Sequence, residues 1–386
     1  MHIGINYTAA LRQQAGIGRY TRGLVNALAE LDRENQYTLI ITADSPGHKG
    51  LLLPDNFRLK VLPISERRLT ILWHRLYLPL AVDTWAGPFD LFHSPDFVLP
   101  PLHRAAGLLT VHDLSFMIHP DGAVPGLRNW LNRVVPRSVK RASHILADSH
   151  STKRDLETQL AVSPERITVV GAGVEPRFRP ITNEQELTQV RRKYNLPDQF
   201  ILSLGTLEPR KNFTGLIQAF NQLQGTFPAL HLVIGGSKGW LYEPIFAAAA
   251  QSPAADRIHF PGFIADDDLA TLYSLADIFA FPSHYEGFGI PILEAMACGT
   301  PVISADNSSL PEVAGGAALL VPATDTAALT DAIHRLCTTP SLREQCVRLG
   351  LAQPAKFTWQ TAAEKLLAAY NAFSNPNPSD KRPRFP

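Results

Sequence analysis

Two glutamates on either side of a glycine turn could bind a ligand that is rich in hydroxyl groups. Glu286 precedes Gly287 and Gly289, and Glu294 lies eight residues after Glu286. Glycines allow the backbone to turn sharply and to bring its N–H groups close to a ligand. A carboxylate accepts hydrogen bonds from two hydroxyls, so we assign Glu294 to a ribose diol and Glu286 to a sugar. For an isolated pair, the plainer interpretation is that Glu294 complements a helix dipole and Glu286 is solvated.

The elements that must position this pair are a buried strand and a short buried helix. The apolar run 278–281 predicts a strand, and Pro282 ends it at the edge where open parallel sheets bind ligands. Pro291 suits the first position of a helix that Gly299 stops. We expect Glu294 in the first turn of this helix. The free N–H groups at the helix start predict an anion site suited to a diphosphate.

A pair of cations follows another predicted strand, 200–204. Gly205 allows a turn, Arg210 and Lys211 come next, and Asn212 is placed to cap a helix. A basic pair is often only a solvated surface feature. Between a strand end and a helix cap, however, it predicts a phosphate clamp, because arginine binds phosphate oxygens bidentately and lysine adds a point charge.

The segment EGFGIPILEAMACGTPVI resembles the signature of the family-four retaining glycosyltransferases, which use sugar nucleotides and have the GT-B fold. The resemblance runs from Gly16 to about Phe373. It implies that Glu286 binds the transferred sugar and that Glu294 binds the ribose, and it matches Arg210 and Lys211 to the family's basic pair. The donor-binding residues implied by the resemblance are Gly16, Gly18, Gly205, Gly262, Phe263, Gly287, Phe288, Gly289, Ile290, Leu293 and Glu294. Together with His112, the residues Arg210, Lys211 and Glu286 are the predicted catalytic set.

His112 follows the predicted strand 107–111, and Asp113 comes directly after it. A histidine at a strand end is often structural. The resemblance instead implies that His112 contacts the transferred sugar, and Asp113 would then fix the orientation or tautomer of the imidazole.

Gly16 and Gly18 lie in the predicted loop 8–20, between the first strand and a helix. A dinucleotide-binding interpretation would combine them with Gly23 and with Asp44 as the ribose acid, but the glycine spacing fits poorly. The resemblance implies a glycine-rich loop that reaches donor phosphate or acceptor, which we favour.

The length of 386 residues predicts two or three domains, and the alternation of strands and helices predicts parallel sheets covered on both faces. We therefore predict an α/β chain of two Rossmann-like domains facing a cleft, the GT-B arrangement. The predicted parts are an acceptor domain at 1–180, a donor domain at 181–356, a helix at 357–373 that crosses back to the first domain, and a disordered tail at 374–386.

Composition and charge exclude several other classes of protein. With 45% hydrophobic residues and a net charge of +1, the chain can form sizeable cores, and nucleic-acid binding is disfavoured. No signal peptide is visible, and no apolar run is long enough to span a membrane. Three cysteines without metal-ligand spacing suggest a reducing compartment. We expect a cytoplasmic protein, with a possible peripheral position at the inner face of the membrane.

Two basic segments could support such a membrane contact. The segment 67–78 combines arginines with aromatic and leucine side chains, although a plain helix that packs Leu72, Leu76 and Leu80 into the core is the favoured interpretation. The segment 128–141 forms a basic helix without acidic residues, which meets either an anionic acceptor or only solvent.

The predicted reaction is the retaining transfer of a hexose from a nucleoside diphosphate sugar to a hydroxyl of a glycan or lipid-linked acceptor, in polysaccharide biosynthesis. GDP-mannose is the first candidate donor, and we expect neither a metal ion nor a cofactor. Three alternatives stay open: a sugar-nucleotide epimerase of the same fold, a phosphorylase-like enzyme, for which no pyridoxal-bearing lysine is evident, and a non-catalytic nucleotide-sugar-binding protein.

Overall fold

The computed structural model describes residues 1–13, 16–47 and 51–373, and these residues form two compact units. Unit 1 contains Met1–Leu114, Asn129–Gly173 and the chain from Trp359, and unit 2 contains Ser115–Arg128 and Val174–Thr358. The segment 115–128, which the sequence assigned to the N-terminal domain, thus makes its contacts in unit 2. The tail predicted to be disordered, 374–386, lies outside the described residues.

Unit 1 is built on a parallel sheet of seven strands, in the order β3-β2-β1-β4-β5-β6-β7. Strands β1, β2 and β4 to β6 are largely apolar and buried, as expected for a sheet covered on both faces. The strands are β1 His2–Asn6, β2 Gln36–Thr42, β3 Phe57–Leu62, β4 Leu91–Ser94, β5 Ala106–Val111, β6 His144–Ala147 and β7 Ile167–Val169.

The helices of the first half lie between these strands in the sequence. They are α1 Thr8–Arg12, α2 Ile17–Leu31, α3 Glu66–Thr70, α4 Val82–Trp85, α5 Ser115–Ile118, α6 Pro125–Arg141 and α7 His150–Leu160. The predicted loop 8–20 therefore contains a helix, α1, and the start of α2. Gln14 and Ala15 of that loop lie outside the described residues.

Unit 2 contains a six-stranded parallel sheet in the order β10-β9-β8-β11-β12-β13. Its strands are β8 Phe200–Leu204, β9 His231–Gly235, β10 Ile258–Gly262, β11 Ile278–Phe281, β12 Val302–Ala305 and β13 Ala318–Val321. The α-helices after β7 are α8 Glu184–Lys193, α9 Phe213–Leu223, α10 Glu243–Ala250, α11 Leu269–Leu275, α12 Ile290–Ala297, α13 Leu310–Ala314, α14 Thr326–Thr338, α15 Pro340–Ala352 and α16 Trp359–Asn371.

The last helix, α16, belongs to unit 1, where it packs along α2. Gly23 of α2 makes room for this packing, because a Cβ at this glycine would lie 2.3 Å from the ring of Trp359. Tyr370 of the same helix hydrogen-bonds His93 of β4 at 2.7 Å. The Trp359 ring at the start of α16 and the buried hydroxyl of Tyr370 near its end thus fix this helix against unit 1.

The plain helix favoured for the segment 67–80 is wrong. Helix α3 ends at Thr70, a π-helical turn covers Ile71–Arg75, and Leu76 is 59% exposed. None of the helices in the described ranges has the length and apolar character needed to cross a bilayer.

Candidate active site

The carboxyl edge of the sheet in unit 2 brings together two loops that are distant in sequence. Strand β8 pairs in parallel with β11, with Ile201 opposite Ile278. The loop after β8, which contains Arg210 and Lys211, therefore leaves the sheet beside the loop after β11, which contains Glu286. The backbone links the two loops as well, because the N–H of His284 donates to the carbonyl of Arg210 at 2.8 Å.

Both predicted cations bind the predicted sugar-binding carboxylate. Arg210 Nη1 lies 2.8 Å from Glu286 Oε2, and Lys211 Nζ lies 2.7 Å from Glu286 Oε1. The side chain of Arg210 is 18% exposed, that of Lys211 12% and that of Glu286 9%. The structure thus assembles these three residues into one largely buried cluster.

Two further contacts hold the guanidinium of Arg210. Its Nη1 donates to the carbonyl of Tyr285 at 2.7 Å, and its Nη2 lies 2.6 Å from Glu208 Oε1. Glu208 is buried, and the sequence analysis missed it because a glutamate two residues before an arginine has no distinctive pattern. Lys211 has a different setting, with its ammonium 5.1 Å from the ring centre of Phe281.

The charge state of Glu286 follows from these contacts. Burial raises the pKa of a carboxyl group, but the charges of Arg210 and Lys211 and the hydrogen bond from Lys211 outweigh it and lower the pKa of Glu286 to about 2. Glu286 is therefore ionised at neutral pH. A carboxylate has about four acceptor positions, so the two cations leave Glu286 the capacity to accept hydroxyl hydrogen bonds.

The glycine turn before α12 is fixed by a serine pair that the sequence analysis missed. Ser308 Oγ accepts a hydrogen bond from the N–H of Glu286 at 3.0 Å. Ser309 Oγ lies 2.9 and 2.7 Å from the carbonyl oxygens of Glu286 and Phe288, which share its one hydroxyl hydrogen. Gly289 has a φ of +110°, which side-chain-bearing residues rarely adopt, and a Cβ there would lie 2.8 Å from Leu310 Cδ2.

The sequence predicted Glu294 in the first turn of α12, but the structure places it beyond that turn. The helix begins at Ile290, so Pro291 is its second residue and Glu294 its fifth. Its side chain is buried and accepts a hydrogen bond from Tyr273 Oη at 3.0 Å. Its assignment to a ribose stays a prediction.

The other predicted donor-binding residues of unit 2 have different surroundings. Gly205 lies beside Lys211, since a Cβ there would meet Lys211 Cε at 3.3 Å. Gly262 ends β10 with a φ of +80°, and Phe263 after it is exposed. Phe288 packs edge-on against Phe357 at 5.7 Å between ring centres. Ile290 is partly buried at the start of α12, and Leu293 is fully buried.

His112 of unit 1 lies in a buried polar cluster at the end of β5. Its Nδ1 lies 2.7 Å from Asp148 Oδ2, and its Nε2 donates to the carbonyl of Pro95 at 3.1 Å. The rings of Tyr20 and Phe97 pack edge-on against the imidazole at 4.9 and 5.5 Å. Both ring nitrogens thus have partners within the protein, so any contact of the imidazole with a sugar would have to share or replace one of them.

Asp148, and not Asp113, orients the imidazole. Strands β5 and β6 are in register with Val111 opposite Ala147, so the next residues, His112 and Asp148, leave adjacent strand ends. Burial lowers the pKa of a histidine, but the facing charge and hydrogen bond of Asp148 and the charge of Asp96 raise the pKa of His112 to about 9. The ring is therefore an imidazolium at neutral pH.

We expect Asp148→Asn to destabilise the protein by about 3 kcal/mol at neutral pH, because it leaves a buried cation without its counter-charge. The folded pKa of His112, about 9, exceeds its ordinary value of 6.5. The stabilisation is therefore fully present below pH 6.5 and is lost as the pH rises through 9. Urea unfolding of the wild-type protein and of Asp148→Asn between pH 6.5 and 9 should show that the difference in their stability shrinks as the pH rises. An equal difference at all pH values would contradict the ion pair.

At the start of α2, Gly16 has a backbone role and Gly18 a packing role. Gly16 precedes the helix with a φ of +56°. Gly18 lies inside the helix and not in a loop, and a Cβ there would come within 1.8 Å of the carbonyl oxygen of Gln13. Their donor contact stays a prediction. In the part of the chain that the structure describes, no three His, Cys, Asp or Glu residues form a group that could hold a metal ion.

Comparison with known proteins gives each half of the chain a family match. Residues 15–178 match the model described as Glycosyltransferase Family 4, and residues 185–351 match the model described as Glycosyl transferases group 1. The chain is 31% identical over 367 residues to O-antigen chain mannosyltransferase B of Escherichia coli, which covers 92% of this chain and 95% of that protein. It is 32% identical over 310 residues to D-inositol 3-phosphate glycosyltransferase of Actinosynnema mirum, a match that covers 74% of this chain and 72% of that protein.

Among solved structures, sucrose-phosphate synthase from Thermosynechococcus elongatus is similar with a TM-score of 0.77 and 21% identity, over 97% of this chain and 99% of that one. The predicted pair of Rossmann-like domains with the GT-B fold is confirmed. The identity of 31% over nearly the full length of both chains establishes the relationship, and the chain belongs to the glycosyl transferases group 1 family, whose members are glycosyltransferases.

Proposed function

We propose that this glycosyltransferase moves a mannosyl group from GDP-mannose to a hydroxyl of a growing polysaccharide or of a lipid-linked glycan, with retention and without a metal ion. The observation that carries the proposal is the cluster of Arg210, Lys211 and Glu286 at the carboxyl edge of the sheet in unit 2. It combines two cations for a diphosphate with one ionised carboxylate for sugar hydroxyls.

The two cations suit the charge that develops during the reaction. Cleavage of the bond between the sugar and the nucleoside diphosphate leaves negative charge on the diphosphate. Arg210 is held by the carboxylates of Glu208 and Glu286 and by the carbonyl of Tyr285, so its guanidinium is preorganised. Preorganised charges in a water-poor site are commonly the largest catalytic contribution. Arg210 and Lys211 would supply the positive charge that a metal ion supplies in other sites.

The setting of Glu286 supports a retaining path without a covalent sugar intermediate. A nucleophilic carboxylate must offer an electron pair to the anomeric carbon. Each oxygen of Glu286 already binds a cation, and its pKa of about 2 makes it a weak base. We therefore assign Glu286 to binding sugar hydroxyls, and the acceptor hydroxyl would attack from the side that the diphosphate leaves.

The choice of mannose and of a polysaccharide acceptor rests on a relative. The Escherichia coli protein that matches over nearly its full length is named as an O-antigen chain mannosyltransferase. The relative from Actinosynnema mirum is named for a different acceptor, inositol phosphate, so the acceptor is the part of the proposal that most needs a direct test.

A donor screen tests the proposal. Purified protein is heated with GDP-mannose, UDP-glucose or UDP-N-acetylglucosamine in the presence of EDTA, and release of nucleoside diphosphate is followed in parallel. A donor at about 100 times its Kd stabilises the fold by about 2.7 kcal/mol, which a melting curve resolves. We expect GDP-mannose to raise the melting temperature and to release GDP slowly.

The other outcomes separate the alternatives. A shift without GDP release, even when mannose oligosaccharides are added, would indicate a binding protein. Conversion of GDP-mannose to another nucleotide sugar would indicate an epimerase. Loss of activity with EDTA that Mg²⁺ restores would contradict metal independence. The anomeric proton of the product, observed by NMR before it equilibrates, distinguishes retention from inversion.

A further inference from the structure

The segment after α3 exposes a strained apolar turn on unit 1. The π-helical turn Ile71–Arg75 ends with the N–H of Leu76 donating to the carbonyl of Ile71 at 2.8 Å. Tyr77 then has a φ of +53°, which is uncommon for a residue with a bulky side chain. Leu76, Tyr77 and Leu78 are 59%, 48% and 37% exposed. Strained backbone and π-helical turns occur often at functional sites.

Indole rings lie beside this turn. The Nε1 of Trp73 donates to the carbonyl of Leu80 at 2.8 Å, which fixes the ring against the chain beyond the turn. The ring of Trp85 lies 6.5 Å from that of Trp73, and Trp85 is itself exposed. Tryptophan and tyrosine are enriched at the headgroup level of membranes, because one part of each ring system is apolar and another part forms hydrogen bonds.

A basic groove of about 270 Å³ adjoins the turn. It is lined by Trp73, His74, Tyr77, Val134, Arg137, Lys140 and Arg141. The guanidinium of Arg137 lies over the ring of Tyr77 at 4.6 Å and donates to its hydroxyl, so this arginine also supports the turn. Arg141 donates to the carbonyl of Leu99.

The segments that form the groove contain no acidic residue that could neutralise its positive charge. The segments 67–82 and 125–141 contain no Asp or Glu. Burial and the charge of Arg141 lower the pKa of His74 to about 4, so the groove's charge at neutral pH comes from its three Arg and Lys side chains. In the described part of the chain, no carboxylate is seen in an ion pair with Arg137, Lys140 or Arg141.

We propose that this surface binds an anionic lipid bilayer, with the turn 76–78 in the headgroup region and a lipid phosphate in the groove. Leucines, aromatic rings and adjacent cations on one exposed surface are the combination that interfacial membrane binding requires. The proposal concerns unit 1 alone and does not depend on the identity of the donor or on the clamp. Its test therefore uses the protein without donor.

Sedimentation with phosphatidylcholine vesicles, with and without phosphatidylglycerol, tests the proposal. The wild-type protein should sediment with the anionic vesicles and release at high salt. Each Lys or Arg near the surface contributes about fivefold to binding, so Arg137→Gln/Lys140→Gln should weaken it by about 25-fold. Lys140→Gln alone should weaken it by about fivefold, without disturbing the contact of Arg137 with Tyr77. Leu76→Ser should weaken binding and leave its salt dependence unchanged.

Arg33→Gln is the matched control, because Arg33 is exposed on the same unit, between α2 and β2 and outside the groove. It should bind vesicles like the wild-type protein, and all variants should retain wild-type donor hydrolysis and urea stability. Equal binding to neutral and anionic vesicles, no binding at all, or an unchanged affinity of the double variant would overturn the proposal. So would a dimer in solution that Leu76→Ser dissociates, since the turn would then be a subunit contact.

Discussion

Replacing Lys211 or Arg210 by alanine is expected to lower turnover by a factor of about 10² or more. Loss of one donor that stabilises developing negative charge has effects of this size in other enzymes. In the structure both side chains converge on Glu286 and are mostly shielded from water, where a charge acts more strongly than in solution. Under the proposed function, both would stabilise the diphosphate leaving group.

The two variants should differ in how they lose activity. Arg210 donates to Glu208, Glu286 and the carbonyl of Tyr285, so its removal also frees Glu208 and the 285–286 loop, and donor KM should rise together with the loss in kcat. Lys211 has one acceptor, Glu286, and its removal should act mainly on kcat. Steady-state kinetics on the donor identified by the screen would measure both parameters.

Lys193→Ala is the matched control for this experiment. Lys193 also belongs to unit 2 and pairs with one carboxylate, that of Asp268 at 2.6 Å, but it is exposed. Its removal should leave turnover within about twofold, because exposed ion pairs contribute little. Turnover near the wild-type value in both clamp variants would show that Arg210 and Lys211 are not a catalytic clamp.

Glu286→Gln is expected to destabilise the protein by about 3 kcal/mol, because removing one partner of a buried ion pair leaves the other charge uncompensated. Here two cations lose their shared carboxylate. Arg210 keeps Glu208, so Lys211 is the group left without a counter-charge. Urea unfolding at neutral pH would measure the loss.

A double variant separates this explanation from a packing effect. Lys211→Met removes the uncompensated charge, so Glu286→Gln/Lys211→Met should recover much of the lost stability. GDP should also stabilise Glu286→Gln more than the wild-type protein, since a diphosphate supplies the missing anion. If the double variant is no more stable than Glu286→Gln, the lost stability does not come from the unpaired charge.

The same ion pairs predict a pH dependence. The folded pKa of Glu286, about 2, lies below its ordinary value of 4.5. The stabilisation is therefore present above pH 4.5 and is lost as the pH falls through 2. The difference in stability between the wild-type protein and Glu286→Gln should shrink over this range, whereas that between the wild-type protein and Asp148→Asn should shrink as the pH rises through 9.

Local patterns in the sequence were sufficient for the elements and for most residues of the candidate site. Apolar runs such as 278–281 and 200–204 are strands with the predicted bounds, because a short buried run next to Gly or Pro has few other structures available. Asn212 caps its helix as predicted, since capping depends on neighbouring residues alone.

Contacts between residues that are distant in sequence required the tertiary structure. Asp148 orients His112 because two parallel strands have one particular register, and a register cannot be read from either strand alone. Ser308 and Ser309 hold the glycine turn for a similar reason, because they follow β12, the strand beside β11. Helix periodicity also failed at 71–78, where the chain forms a π-helical turn and exposes Leu76, which the pattern assigned to a core.

The sequence by itself therefore determined the α/β class, the two cations, the carboxylates and the family that they resemble, because each of these depends on residue type and short-range spacing. The tertiary structure decided that both cations share Glu286, that Glu294 lies beyond the first turn of its helix and that residues 115–128 pack in unit 2. The physical reason is that side-chain pairing and burial depend on which strands and helices become neighbours, and chain folding sets those neighbours over separations of 75 residues or more, as between Lys211 and Glu286.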